Sequence, residues 1–100
     1  MALKDLNQGL QENPQSANGY FNRSLIYSLT NRYDLAIQDH TSYLRLKPHN
    51  PDIYYERAVA KAAINKHQEA VTDFSEAIRR NPNKAAYYKQ RALSLSLIHI

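Results

Sequence analysis

The sequence predicts an all-α protein, an α-solenoid built from copies of one antiparallel helix–turn–helix pair. The first observation is that the same residue type returns every 34 residues, as at Asp5, Asp39 and Asp73. A fixed step of this length indicates one supersecondary unit that is copied and stacked. The second observation is that only two of the 100 residues are glycine, which suits a mostly helical chain. The same step relates four further series, which are Ala2, Ala36 and Ala70; Pro14, Pro48 and Pro82; Tyr20, Tyr54 and Tyr88; and Arg23, Arg57 and Arg91.

The helices follow in chain order from this step. Residues 2–12 match the second helix of a pair, whose first helix would precede Met1. Residues 17–50 and 51–84 each read as a complete pair, and residues 85–97 match a first helix whose partner would follow Ile100. We therefore expect half a repeat (1–16), two complete repeats (17–50 and 51–84) and a further half (85–100). Because residues 95–100 depart from the pattern, we interpret them as a non-native tail, with native sequence ending near Ser94.

Each complete unit contains two helical patterns separated by a turn. Apolar and small residues recur at i, i+3, i+4 and i+7 in both halves, as in Ala70, Phe74 and Ala77. We expect the small residues at Ala58 and Ala70 to let two antiparallel helices approach closely, with Tyr54, Phe74 and Ile78 filling the gaps around them.

Residues with strong conformational preferences mark the ends of these helices. Asn50 and Pro51 fit an N-cap and the first helical position. Asn31 and Asn65 stand between the two helices of each unit, where a left-handed C-cap is expected and where asparagine is the commonest substitute for glycine. The prolines of the series above follow the second helices and stop them.

The unit resembles a tetratricopeptide repeat, a helix–turn–helix of 34 residues with a signature of scattered small and large side chains. Two departures are Lys61, where the family usually has an aromatic residue, and asparagine in place of the usual turn glycine. The resemblance covers the whole chain and implies a right-handed superhelix of about three repeats. The residues that carry it are Tyr20 and Tyr54, Ser24 and Ala58, Tyr27, Tyr33 and His67, Ala36 and Ala70, His40 and Phe74, Tyr43 and Ala77, and Pro48 and Pro82.

The resemblance also implies a function, that of a scaffold for protein–protein interaction. In this family the first helices line a concave groove that accepts an extended peptide or a helix of a partner protein. Phe21 and Tyr55 are equivalent and are expected to anchor such a partner, although the alternative that they merely pack between neighbouring first helices is equally open. By position, the groove is lined by Asn18, Phe21, Asn22, Leu25, Leu29, Asp52, Tyr55, Glu56, Val59, Ala63, Ala86, Lys89, Gln90 and Leu93.

One branch of the family grips the acidic C-terminal tail of chaperones through a clamp of Lys, Asn and Arg. This chain lacks that clamp, because Phe21 and Leu25 occupy the first Lys and Asn positions. In the alternative register Asn22 fits, but Asp52 and Glu56 stand where cations are required. We therefore expect no chaperone ligand of the carboxylate-clamp type.

Other function classes receive little support from the sequence. There is no cysteine, and the four histidines, His40, His49, His67 and His99, have no metal or triad spacing, so we predict no enzyme, metal site or cofactor. No apolar stretch approaches the ~20 residues of a membrane span, and the default location is the cytoplasm.

Three alternatives remain open at this point. The chain can be a targeting or regulatory arm of a larger enzyme. Residues 79–100 carry five basic side chains and no acidic one, which weakly suggests nucleic-acid binding, but two of them stand at the end of a helix and complement its dipole. The open ends of the solenoid also predict self-association.

The alternating Asp and Arg series predict a ladder of ion pairs. Each Asp falls in a second helix and each Arg in a first helix, at similar heights in antiparallel packing. We expect each arginine to bind the aspartate of its own repeat or of the preceding one.

Overall fold

Six α-helices make up most of residues 2–98, the part of the chain that the computed structural model describes. Each predicted helix is present, and the described range contains no strand. The structure does not describe Met1, His99 and Ile100, so the end of the predicted tail lies outside the described residues. The start of that tail is helical, because the last helix continues through Leu95 to Ile98. The helices are α1 (Ala2–Glu12), α2 (Ala17–Leu29), α3 (Tyr33–Leu46), α4 (Pro51–Ala63), α5 (His67–Arg80) and α6 (Ala85–Ile98).

The helices stack in chain order into an elongated right-handed α-solenoid of about three repeats. Each helix packs against the one before it and the one after it, and α4 also contacts α6. The described residues extend 43 × 26 × 17 Å along their principal axes. The first helices α4 and α6 therefore adjoin directly, and Ala17 of α2 shares a buried cluster with Ile53 of α4, as the repeat predicts.

The turns inside the two complete pairs confirm the role of asparagine. Asn31 and Asn65 have φ values of 61° and 65°, in the left-handed region. Around the first turn the Arg32 amide donates to the Tyr27 carbonyl at 2.7 Å and the Asn31 amide donates to the Ser28 carbonyl at 3.2 Å. The second turn has the same two bonds, so both first helices, α2 and α4, end in a Schellman motif.

The proline and tyrosine series are explained by one recurring hydrogen bond. The hydroxyls of Tyr20, Tyr54 and Tyr88 donate to the carbonyls of Pro14, Pro48 and Pro82 at 2.9, 3.0 and 3.0 Å. Each bond ties the start of a first helix to the loop that follows the preceding second helix. The predicted N-cap is also present, since the Asn50 side chain accepts from the Asp52 amide at 3.0 Å.

The core consists of two adjacent clusters, each between consecutive helices. In the second cluster Ala58 of α4 and Ala70 of α5 are fully buried with Phe74, so the helices approach closely as predicted. The ring that packs there is that of Tyr55 rather than Tyr54. Tyr54 packs instead on the first cluster, because its hydroxyl is held at the preceding loop. That cluster consists of Ala17, Tyr43, Leu44 and Ile53.

The ion-pair ladder is confirmed in both complete repeats. Arg23 binds Asp39 through two parallel bonds of 2.9 and 2.6 Å, and Arg57 binds Asp73 through two bonds of 2.8 Å. Both aspartates are buried and the arginines are largely so. The departure at Lys61 is explained here, because its Nζ lies 2.9 Å from the Asp73 carboxylate.

Each of the three arginines also reaches back to the preceding second helix, including Arg91, which forms no ion pair with an aspartate within residues 2–98. In each arginine a guanidinium nitrogen donates to a polar side chain there, at 3.0 Å from Arg23, 3.2 Å from Arg57 and 3.2 Å from Arg91. The ladder therefore joins three successive helices rather than two. The acceptors are Asn7, Thr41 and Ser75, which keep the same step of the repeat.

Candidate functional site

A cleft of about 480 Å³ opens between α2, α4 and the start of α6. It lies along the face that the first helices share, where the repeat predicts a groove. Its position follows from the chain order, because α4 stands between the other two first helices and supplies the floor. The lining residues are Phe21 and Leu25 from α2; Asn50, Asp52, Ile53, Tyr55 and Glu56 from α4 and its cap; and Lys84, Ala86 and Tyr87 from the start of α6 and the residue before it.

Three aromatic rings give the cleft its apolar surface. The Tyr87 ring is 1 % exposed and lies 5.0 Å, centroid to centroid, from the ring of Tyr55. Tyr55 also contacts Phe74 at 5.7 Å, and Phe21 contacts Tyr43 at 6.3 Å. Both predicted anchors are therefore packed on one side while their half-buried rings line the cleft on the other.

The rim of the cleft carries an ion pair between the first turn of α4 and the residue that precedes α6. Lys84 Nζ donates to the two carboxylate oxygens of Asp52 at 2.9 and 3.2 Å, and the buried Tyr87 hydroxyl donates to the same carboxylate. These hydrogen bonds, from Tyr87 first and then Lys84, lower the pKa of Asp52. Burial and the bond to Asp52 raise the pKa of Tyr87, which therefore stays a neutral donor.

Glu56 stands one turn further along α4 in a different electrostatic setting. Its side chain is half-buried and forms no hydrogen bond or ion pair within residues 2–98. Burial, and secondarily the charge of Asp52, raise the pKa of Glu56. The cleft thus holds two carboxylates, of which Lys84 compensates one.

An exposed apolar row continues the cleft along the first helices. Leu25, Val59 and Leu93 occupy one position of the repeat, with exposed fractions of 41, 36 and 51 %. Leu29, one turn beyond Leu25, is 84 % exposed. Since isolated exposed apolar residues are common, the relevant feature is that these share one face of successive helices.

The predicted groove residues divide into three groups in the structure. Phe21, Leu25, Asp52, Tyr55, Glu56 and Ala86 line the cleft. Asn18 and Asn22 line a separate depression of about 310 Å³ between α1 and α2. The remaining six, Leu29, Val59, Ala63, Lys89, Gln90 and Leu93, line neither.

Sequence reasoning missed four residues of the cleft, namely Asn50, Ile53, Lys84 and Tyr87. Tyr87 shares its repeat position with Ile53 and Gly19. This shared position, which faces the preceding repeat, is the signal that could have identified Tyr87. Lys84 and Asp52 are 32 residues apart and share no repeat position, so no signal linked them.

The described part of the chain offers neither a cluster of metal ligands nor a helix suited to a membrane. Within residues 2–98 no three histidine, aspartate or glutamate side chains are grouped so that they could hold a metal ion. No helix in that range combines the length and apolar composition needed to cross a membrane.

Comparison with known proteins agrees with the architecture. A family model described as tetratricopeptide repeat matches residues 31–85, and no curated protein matches the chain. Among solved structures, MamA AMB-1 is similar with a TM-score of 0.92 at 22% identity, covering 97% of this chain and 53% of its own. This chain therefore spans about half of that protein.

Two other solved structures are similar over nearly the whole chain. The first tetratricopeptide domain of Spaghetti (RPAP3), bound to an HSP90 peptide, has a TM-score of 0.90 at 19% identity and covers 99% of this chain and 79% of its own. The Arabidopsis OM64 domain has a TM-score of 0.86 at 22% identity, with coverages of 99% and 80%. At these identities the likeness concerns the fold, whereas the family model matches more than half of the sequence. The chain therefore belongs to the tetratricopeptide repeat family.

Proposed function

We propose that this chain is a protein-interaction scaffold that binds a peptide or helix of a partner protein on the face formed by α2, α4 and α6. The observation that carries the proposal is the cleft, in which half-buried aromatic rings adjoin the exposed apolar row of Leu25, Val59 and Leu93. Rings already held by packing lose little conformational entropy when a partner covers them. The proposal involves no catalytic step and no cofactor.

The similar structures support a peptide as the ligand class. The RPAP3 domain named above was solved with an HSP90 peptide, and the second such domain of human RPAP3 was solved with an HSP70 peptide. For this chain we propose a different kind of ligand from an acidic chaperone tail. Asp52 and Glu56 would place two carboxylates beside the terminal carboxylate of such a tail and repel it.

The contacts of the basic side chains in residues 79–100 support a structural role for their charge. Arg79 and Arg80 both bind Glu76, and Lys84 binds Asp52. Because these three of the five basic side chains in residues 79–100 already have carboxylate partners, we propose that nucleic acid is not the ligand. The proposed scaffold is compatible with a larger protein, including an arm of an enzyme.

The experiment is a selection of random peptides displayed on phage against the immobilised chain. Selected peptides are then measured by fluorescence anisotropy on the native chain, on Leu25→Ala and on Gln38→Ala. Leu25 lines the cleft, whereas Gln38 is exposed on α3 outside it. We expect Leu25→Ala to weaken binding, because it removes an apolar contact, and Gln38→Ala to retain it. Failure to select any peptide, or equal binding by the two variants, would refute the proposal.

A further inference from the structure

We propose that the cleft selects its partner peptide by one basic side chain, preferably arginine, placed beside an apolar residue. This inference rests on the proposed function and adds the chemistry of the ligand. It is carried by the uncompensated carboxylate of Glu56, by the aromatic rings around it and by the apolar row that adjoins it.

The charge argument concerns the two carboxylates of α4. Asp52 and Glu56 lie one helical turn apart and both line the cleft, where Lys84 binds only Asp52. A half-buried carboxylate without a cation loses hydration and gains nothing in return. A guanidinium donating to Glu56 would supply the missing partner in a site that is partly shielded from water, where charge-assisted bonds are strongest.

The aromatic argument favours arginine over lysine. A planar guanidinium can bind a carboxylate with its edge while its face stacks on an aromatic ring. A lysine ammonium, as at Lys84 over Tyr87, can lie near a ring but has no planar face to stack. The chain already uses this chemistry internally, since the Arg80 guanidinium lies 4.9 Å from the centroid of the Tyr54 ring. Phe21 and Tyr55 supply aromatic rings to the lining of the cleft, and Leu25 can cover the aliphatic stem.

The differences between the repeats indicate that the bound peptide carries one basic side chain at this site. At the position of Glu56, the neighbouring repeats carry the neutral amides Asn22 and Gln90. At the position of Asp52 they carry Asn18 and Ala86. Negative charge on this face is therefore confined to the central repeat. A bound peptide would meet it at a single register, with apolar side chains on the flanking row.

The test compares peptides that differ only in charge. From the phage selection, the best peptide is synthesised with its basic residue as arginine or as citrulline, which has the same shape without the charge. Anisotropy titrations then use the native chain, Glu56→Gln and Glu69→Gln. Glu56→Gln introduces the residue that the next repeat has at this position, and Glu69 is exposed on α5 away from the cleft.

We expect the selected peptides to share one basic position next to an apolar one. Citrulline should weaken binding about tenfold on the native chain and on Glu69→Gln, the size of one charge-assisted hydrogen bond. On Glu56→Gln the two peptides should bind within about twofold of each other. A charge-reversed chain, Glu56→Lys, should instead select acidic peptides.

Two results would overturn the inference in different ways. If the selected peptides bind more weakly to Leu25→Ala but show no basic preference, or bind equally as arginine and citrulline forms, the ligand chemistry is wrong and the scaffold function stands. If no selected peptide depends on Leu25, both the function and this inference fall.

Discussion

His40 should make the stability of the fold depend on pH between neutral and mildly acidic conditions. It lies on α3 with a side chain that is 3 % exposed, and within residues 2–98 its Nδ1 has no hydrogen-bond partner. Arg57 of α4 and Asp73 of α5 are the charged groups that act on it. The equivalent residue of the next repeat is the fully buried Phe74. His40→Phe is therefore the perturbation that this fold already accommodates at the same position.

The size of the effect follows from the pKa of His40. Burial, reinforced by the charge of Arg57 and opposed by Asp73, lowers this pKa from 6.5 to about 4. Between those values the unfolded chain binds a proton that the folded chain does not, so the free energy of unfolding rises with pH. The stabilisation is fully present above the unfolded pKa and is lost as the pH falls towards the folded one. At about 1.4 kcal/mol for each unit, the loss amounts to about 3 kcal/mol.

Urea denaturation followed by circular dichroism measures this contribution. The native chain and His40→Phe are compared at about pH 7 and about pH 4, where the two protonation states of the unfolded histidine dominate. The carboxylates titrate in both proteins, so their effect on the free energy of unfolding cancels when the two proteins are compared. On acidification, the free energy of unfolding of the variant should rise by about 3 kcal/mol relative to that of the native chain. The exposed His49 serves as control, since His49→Phe should show no such gain.

The reasoning about His40 would be refuted by parallel pH profiles. If the native chain and His40→Phe lose stability equally on acidification, the histidine is either hydrated or protonated in the folded state. A gain of the same size in His49→Phe would assign the effect to a general property of histidine removal.

The remaining predictions concern the ion-pair ladder, the turns and the cleft. Arg23→Met should lower the free energy of unfolding by about 3 kcal/mol, because it leaves a buried aspartate unpaired. Arg57→Met should lower the free energy of unfolding by less, because Lys61 stays 2.9 Å from Asp73, the carboxylate that Arg57 binds. Equal losses of the two arginine variants in urea denaturation would contradict this. Asn65→Ala should cost about 1 kcal/mol at its φ of 65°, whereas Asn65→Gly should be as stable as the native chain or more so. Thermal denaturation ranks the two, and an alanine variant as stable as the glycine variant would count against a strained backbone. Glu56→Gln should keep or raise the melting temperature at neutral pH, because burial disfavours the ionised carboxylate; a clear fall would mean that the carboxylate has a stabilising partner.

Features that repeat with the 34-residue step were predictable because each depends on one local register. The left-handed asparagines and the pairing of Arg23 with Asp39 follow from residue type and helix position alone. The recurring acceptors of the third arginine bond also keep the step, but they differ in residue type. These acceptors were therefore not predictable from identical residues at the repeat step.

Features that depend on the angle between helices were not predictable in the same way. Gly19, Ile53 and Tyr87 share one repeat position, yet they meet the preceding repeat differently. At Gly19 a Cβ would lie 2.8 Å from a side-chain carbon of Leu10, so α1 and α2 approach closely there. At the same position Tyr87 fills the space beside Tyr55 and forms a wall of the cleft. Side-chain size at one position thus sets the depth of the cleft.

The residues that keep the repeat and those that break it perform different tasks. The ladder, the turns and the proline–tyrosine bonds keep the step and join helix to helix, so substitutions there should act on stability. The carboxylate of Glu56 breaks the step between Asn22 and Gln90 and makes no contact that the fold requires within the described residues. Glu56→Gln should therefore change ligand preference without loss of stability, whereas Arg57→Met should lower stability without changing ligand preference. A single variant that lost both would show that the cleft and the ladder are energetically coupled through α4.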